Sequence, residues 1–195
     1  MGLRNDTNYI VSGLERSGTS MIMQILYAGG VPIAFDSGSR PPDENNPKGY
    51  FELEGGKVIN RLMEGTFPLE KYLGKFIKIT SFGMRFLPEG NYKVIYTQRN
   101  IEEVLDSMEK MTKKEEDSRN EIRESFLKLD RLVKETLRNR KDIDCLFVNY
   151  NQILKNPEKN IKQIRDFIKE LDVDLDKMAE CVDQTLYRNR ELNNS

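Results

Sequence analysis

The chain has 195 residues, 31 Lys and Arg against 32 Asp and Glu, 37% apolar residues and no histidine. Near-neutral charge argues against a broad basic face for nucleic acid, and the lack of histidine excludes a Ser-His-Asp triad, a His general base and His-ligated zinc. No apolar run approaches the roughly 20 residues needed to span a bilayer, and Met1-Gly2-Leu3-Arg4-Asn5-Asp6 carries no signal-peptide core. The expectation is one domain over residues 1–195, cytoplasmic and without a membrane partner. Cys145 and Cys181 lack metal-ligand spacing and read as reduced core thiols, so no metal site is expected.

The first element is a β-branched run, Tyr9-Ile10-Val11-Ser12, entering the loop Gly13-Leu14-Glu15-Arg16-Ser17-Gly18-Thr19-Ser20. Met21, Ile22, Ile25 and Leu26 follow with helical spacing. Strand, glycine-bearing loop and helix in that order suit an anion, because turned backbone N–H groups and the positive end of the helix dipole converge there. The spacing of Gly13 and Gly18 matches G-x-x-x-x-G-K-[ST], but Thr19 stands where a triphosphate loop needs lysine, and the cation is Arg16 instead. Gly29-Gly30 ends the helix near Ala28, and Val31 to Phe35 reads as a short edge stretch. Residues 36–49, with Pro41-Pro42 and Asn46-Pro47, predict an irregular surface loop.

A helix then carries Val58, Ile59 and Leu62, and Phe76 to Ser81 reads as a buried strand from which Lys78 projects at the ligand edge of the sheet. The strand Tyr92 to Gln98 ends at Arg99, and Asn100 caps the following helix. Ser107 lies two turns along that helix, so Arg99 and Ser107 can face one small anion. A triphosphate kinase would instead need an Asp at this strand end to organise Mg²⁺. Ile122, Phe126, Leu129, Leu132, Val133 and Leu137 predict a long amphipathic helix within residues 113–141. Asp144 to Tyr150 is the last strand. Pro157 opens a helix through Ile161, Ile164, Phe167 and Leu171, and a final helix is expected over about 175–186. Alternating strands and helices predict an α/β, P-loop-like three-layer fold with a mainly parallel central sheet flanked by helices.

Arg16-Ser17-Gly18-Thr19-Ser20 resembles the 5′-phosphosulfate loop of the sulfotransferases that use 3′-phosphoadenosine 5′-phosphosulfate (PAPS). Asn46-Pro47-Lys48-Gly49-Tyr50-Phe51-Glu52 resembles the N-P-K-G-[YFW]-[FW]-E segment of bacterial members, Arg99 and Ser107 the Arg-x₇-Ser motif, and Tyr150 to Pro157 the Y-E-D-L-x-x-x-P segment. The resemblance implies PAPS as co-substrate, giving the product PAP. It places Arg16, Ser17, Gly18, Thr19 and Ser20 around the 5′-phosphosulfate, Arg99 and Ser107 on the 3′-phosphate, Tyr150 near the adenine and Lys78 near the transferring sulfur. With no histidine available, Glu52 is the expected general base, with Asp43, Glu44 and Glu54 as alternatives; the acceptor is a small molecule or carbohydrate bearing a hydroxyl or amine. The family's C-terminal basic-glycine motif is missing, with Arg188 or Arg190 as substitutes. A P-loop small-molecule kinase and a non-catalytic nucleotide-binding protein of the same fold are the alternatives.

Overall fold

The computed structural model describes residues 2–38, 43, 46, 49–112, 118–169 and 171–182. Four strands, β1 (Asn8–Gly13), β2 (Phe76–Lys78), β3 (Tyr92–Gln98) and β4 (Ile143–Asn149), form one sheet in the order β2-β1-β3-β4, and every pairing is parallel. Parallel neighbours need crossovers, which are supplied by α1 (Thr19–Ala28), α2 (Val58–Met63), α3 (Ile101–Thr112) and α4 (Arg119–Asn139). After β4 come α5 (Tyr150–Lys155), α6 (Pro157–Phe167) and α7 (Leu175–Glu180).

The sheet is covered on both faces, which accounts for the nearly continuous burial of β1 and β3. On one face Tyr9, Val11 and Ile95 pack with Ile22, Ile25 and Leu26 of α1, Ile153 of α5, Ile161 and Ile164 of α6 and Met178 of α7. On the other, Ile10, Ile77, Val94 and Tyr96 pack with Val58 and Leu62 of α2 and Val133 and Leu137 of α4. Alternate residues of β1 therefore feed opposite layers, as a pleated strand requires. The three-layer α/β architecture expected from the sequence is the one observed.

Several boundaries differ from the sequence reading. β2 ends at Lys78, not Ser81, although Ile79 and Ser81 still donate to the carbonyls of Val11 and Gly13, so the chain keeps tracking β1. Ile33 makes a single parallel bridge to Phe76, which is the edge contact expected of Val31 to Phe35. The helix opened by Pro157 stops at Phe167, short of Leu171, and Leu175 begins a helix described to Glu180; residues 183–195, including Arg188 and Arg190, lie outside the described part. Within the amphipathic segment α4 spans Arg119–Asn139, while 113–117 lie outside the described residues. Cys145 and Cys181 are both half-buried; burial, aided by Asp144, pushes the Cys145 thiol up to about 12 and leaves it an inert packing group.

Candidate functional site

The chain leaves β1 toward β2 on one side and leaves β3 toward β4 on the other, so the strand order reverses between β1 and β3. Ligands of open α/β sheets sit at the carboxyl ends of the strands beside such a reversal. Here each strand end delivers one of the expected residues. β1 leads into the Arg16 loop, β2 ends on Lys78, β3 runs into Arg99 and β4 into Tyr150.

The loop after β1 is held from within. The Ser17 hydroxyl donates to the Leu14 carbonyl at 2.6 Å and meets the Thr97 hydroxyl at 2.7 Å, and the Ser17 amide also bonds to Leu14. Ser17 is 1% exposed, and these bonds tie the loop to itself and to β3. Arg16 takes a left-handed φ of 63°, a costly conformation for a non-glycine residue. This turn brings Arg16 Nε to the Ser107 hydroxyl at 2.9 Å, across 91 residues of sequence. Gly18 has φ 103°, and a Cβ built there would lie 2.4 Å from Cδ2 of Tyr150, so only glycine lets the loop and that ring pack together. α1 then begins at Thr19 with no side-chain cap, leaving its first-turn N–H groups directed out of the helix end.

Arg99 is enclosed on several sides. Its Nη1 donates to the Arg16 carbonyl at 3.1 Å, its Nε to Glu103 Oε2 at 2.9 Å, and its guanidinium lies 4.4 Å from the centroid of the Tyr150 ring. Asn151 adds a donor to Glu103 Oε1 at 2.8 Å. Asn100 caps α3 as expected, its side chain accepting the Glu102 amide at 2.8 Å. Burial raises the Tyr150 phenol above its ordinary value and the Glu103 charge adds to that, with Arg99 and Arg16 opposing, so the ring stays neutral at physiological pH.

On the far side of β1, the buried Lys78 ammonium donates to the Tyr50 carbonyl and lies 3.4 Å from Glu52 Oε1. Ser20 of α1 reaches the same carbonyl at 3.4 Å. The Tyr50 hydroxyl donates to both oxygens of Asp43 at 2.8 Å, and Phe51 takes φ 55° as the chain turns toward Glu52. Of the alternative carboxylates, Asp43 holds Tyr50, Glu54 accepts Arg61 at 2.5 Å, and Glu44 lies outside the described residues. Arg16, Ser107, Arg99 and Tyr150 thus form one cluster, and Lys78 and Glu52 form a second, tied back to α1 through Ser20 and the Tyr50 carbonyl. Glu103, Asn151 and Thr97 were not anticipated; the i, i+4 spacing of Arg99 and Glu103 was the one available signal. Among the described residues no group of three or more Cys, Asp and Glu is arranged to hold a metal ion, and no helix is long and apolar enough to cross a membrane.

A doubly wound parallel sheet with a glycine-bearing loop at its switch point and cations at the neighbouring strand ends defines an α/β protein of the phosphate-loop type. Within that class, residues 6–195 match the sulfotransferase domain family, and the chain belongs to it. Its general chemistry is therefore sulfuryl transfer. No curated protein matches the sequence. The sulfotransferase domain of the Synechococcus PCC 7002 olefin synthase shares the fold with a TM-score of 0.59 at 16% identity, over 100% of this chain and 91% of its own. The mouse sulfotransferase SULT7A1, solved in complex with PAP, aligns with a TM-score of 0.61 at 20% identity, over 97% of this chain and 69% of its own.

Proposed function

We propose that this protein transfers the sulfuryl group of PAPS to a hydroxyl or amine of a small-molecule or carbohydrate acceptor and releases PAP. The observation that carries the reading is the convergence of Arg16, Ser107 and Arg99 beside the N-terminus of α1. Two guanidinium groups linked through a serine and a backbone carbonyl suit a ligand with two separate anionic groups, and PAPS carries one at each end of its ribose. Glycine at positions 13 and 18 lets Thr97, Ser17 and Tyr150 pack directly against the loop backbone, where a Cβ would clash, and so holds the loop in this turn.

In this reading Arg16 and the amides of Gly18, Thr19 and Ser20 hold the 5′-phosphosulfate, with Ser17 bracing the loop beneath them. Arg99 and Ser107 hold the 3′-phosphate, and Tyr150 lies near the adenine while its ring seats Arg99. The acceptor oxygen or nitrogen bonds to sulfur, the bond from sulfur to the 5′-phosphate oxygen breaks, and the acceptor proton passes to Glu52. Arg16 and Lys78 offset the charge that builds on the leaving side. Glu52 suits the base role because its carboxylate lies beside Lys78 at the end of β2.

Calorimetry of the protein with PAP, AMP and ATP tests the donor. PAP is expected to bind far more tightly than AMP, because only PAP engages Arg99 and Ser107. Equal affinity for PAP and AMP would remove the 3′-phosphate assignment, and Mg²⁺-dependent ATP binding would point to a kinase. PAP binding without product from labelled PAPS across hydroxyl and amine acceptors would favour a non-catalytic binding protein.

A further inference from the structure

We propose that Glu103 is the positioning residue that fixes the plane of the Arg99 guanidinium, and that it thereby sets the preference for a nucleotide carrying a 3′-phosphate; this rests on the PAPS reading above. The Arg99 and Glu103 side chains are 8% and 4% exposed, so the carboxylate is removed from water at the centre of the site. One of its oxygens takes Arg99 Nε and the other takes Asn151 Nδ2, which joins the helix after β3 to the helix after β4. With the Arg16 carbonyl on Nη1 and the Tyr150 ring below the plane, the guanidinium is held at two edges and one face.

Neighbouring Glu102 supplies the contrast. It occupies the same first turn of α3 and the same favourable dipole field, yet it is partly exposed and pairs with Arg119 and Arg123 at the surface. Helix-end electrostatics therefore cannot explain why Glu103 is buried. Nor does stability explain it well, since the desolvation of a buried ion pair tends to cancel its attraction. What such a pair does supply is orientation, and a planar fork reads a phosphate by direction as much as by charge. The carboxylate also weakens the attraction of Arg99 for anions in general, so an ordering role and a merely neutralising role predict opposite changes when the charge is removed.

The test is calorimetry of the full chain with PAP and with AMP, for the wild type, Glu103→Gln and Asn151→Ala. Loss of a buried charge-assisted hydrogen bond is expected to weaken PAP binding roughly 10- to 100-fold in Glu103→Gln. AMP binding should stay within about threefold, so that the preference for PAP collapses, and Asn151→Ala should move the same ratio in the same direction by less. Unchanged or tighter PAP binding in Glu103→Gln would overturn the proposal in favour of charge neutralisation, and equal weakening of PAP and AMP would make Glu103 a support of the fold alone. If Glu103→Gln does not fold, Asn151→Ala decides, an unchanged ratio overturning the proposal. A wild type that binds PAP no better than AMP would overturn the nucleotide reading, and this inference with it, whatever the variants do.

Discussion

Replacing Gly18 by alanine perturbs the loop and the Arg99 seat at one point, and the structure gives the size of the effect. Two costs add. The backbone φ of 103° disfavours any L side chain, by on the order of 1–3 kcal/mol. The new Cβ would also lie 2.4 Å from Tyr150 Cδ2, well inside van der Waals contact, so the ring must move and overpack its surroundings at a cost of about 1–3 kcal/mol. At roughly 2–4 °C per kcal/mol for a domain of this size, Gly18→Ala should lower the melting temperature by about 4–24 °C. Gly30→Ala separates the two costs, because Gly30 also has a positive φ, 80°, but nothing lies within 4 Å of an added Cβ. The contact with Tyr150 predicts that Gly18→Ala melts roughly 2–12 °C below Gly30→Ala in a thermal unfolding scan. It also predicts that Tyr150→Ala and Gly18→Ala are not additive, since removal of the ring removes the clash. Equal melting temperatures for the two glycine variants, or strict additivity with Tyr150→Ala, would refute the packing argument.

Glu52→Gln keeps the shape of the side chain beside Lys78 and removes its capacity as a base. Turnover on a true acceptor should fall roughly 10²- to 10⁴-fold with PAP affinity little changed; near-wild-type turnover sinks the assignment, and lost PAP binding makes Glu52 structural. At the opposite end of the sheet, Arg140 holds both carboxylate oxygens of Asp142, and the Gly90 amide adds a third bond. The Arg140 contact, mainly, holds the Asp142 carboxyl well below its ordinary range. A carboxyl depressed in the folded state stabilises above its unfolded pKa of about 4 and loses that contribution as pH falls toward the folded value. Asp142→Asn should therefore cost on the order of 1–3 kcal/mol near pH 7 by urea unfolding, and the gap to the wild type should shrink as the pH drops below about 4. A gap constant from pH 7 to pH 3 would show that the charge of Asp142 contributes nothing.

Features that depend on near neighbours along the chain are legible in the sequence itself. The run Ile10-Val11 beside two glycines marks strand and loop, Asn100 marks a helix start, and strand ends carrying Lys78, Arg99 and Tyr150 point to the ligand edge of a parallel sheet; all stand where these local rules put them. Boundaries are less legible, because β2 and α6 stop short of the apolar pattern even though Ile79 and Ser81 still bond to β1 and Ile168 stays in the core.

What the sequence alone determined was thus the α/β class, the glycine-bearing loop between the first strand and the first helix and which cations stand at the strand ends, since each follows from the period of apolar residues, glycine freedom and charge. The tertiary structure alone decided how those groups meet. Strand order brought Thr97 against Ser17, across 80 residues, where their hydroxyls meet. Helix placement brought Arg16 to Ser107 and let Glu103 join Arg99 to Asn151, while the fold of the chain past Asp43 set the Tyr50 carbonyl on Lys78 and Glu52 beside it. Such contacts depend on which strand lies beside which and on the direction of individual side chains. A pattern read along one dimension carries neither, because each is fixed only when the sheet has closed and its helices have packed.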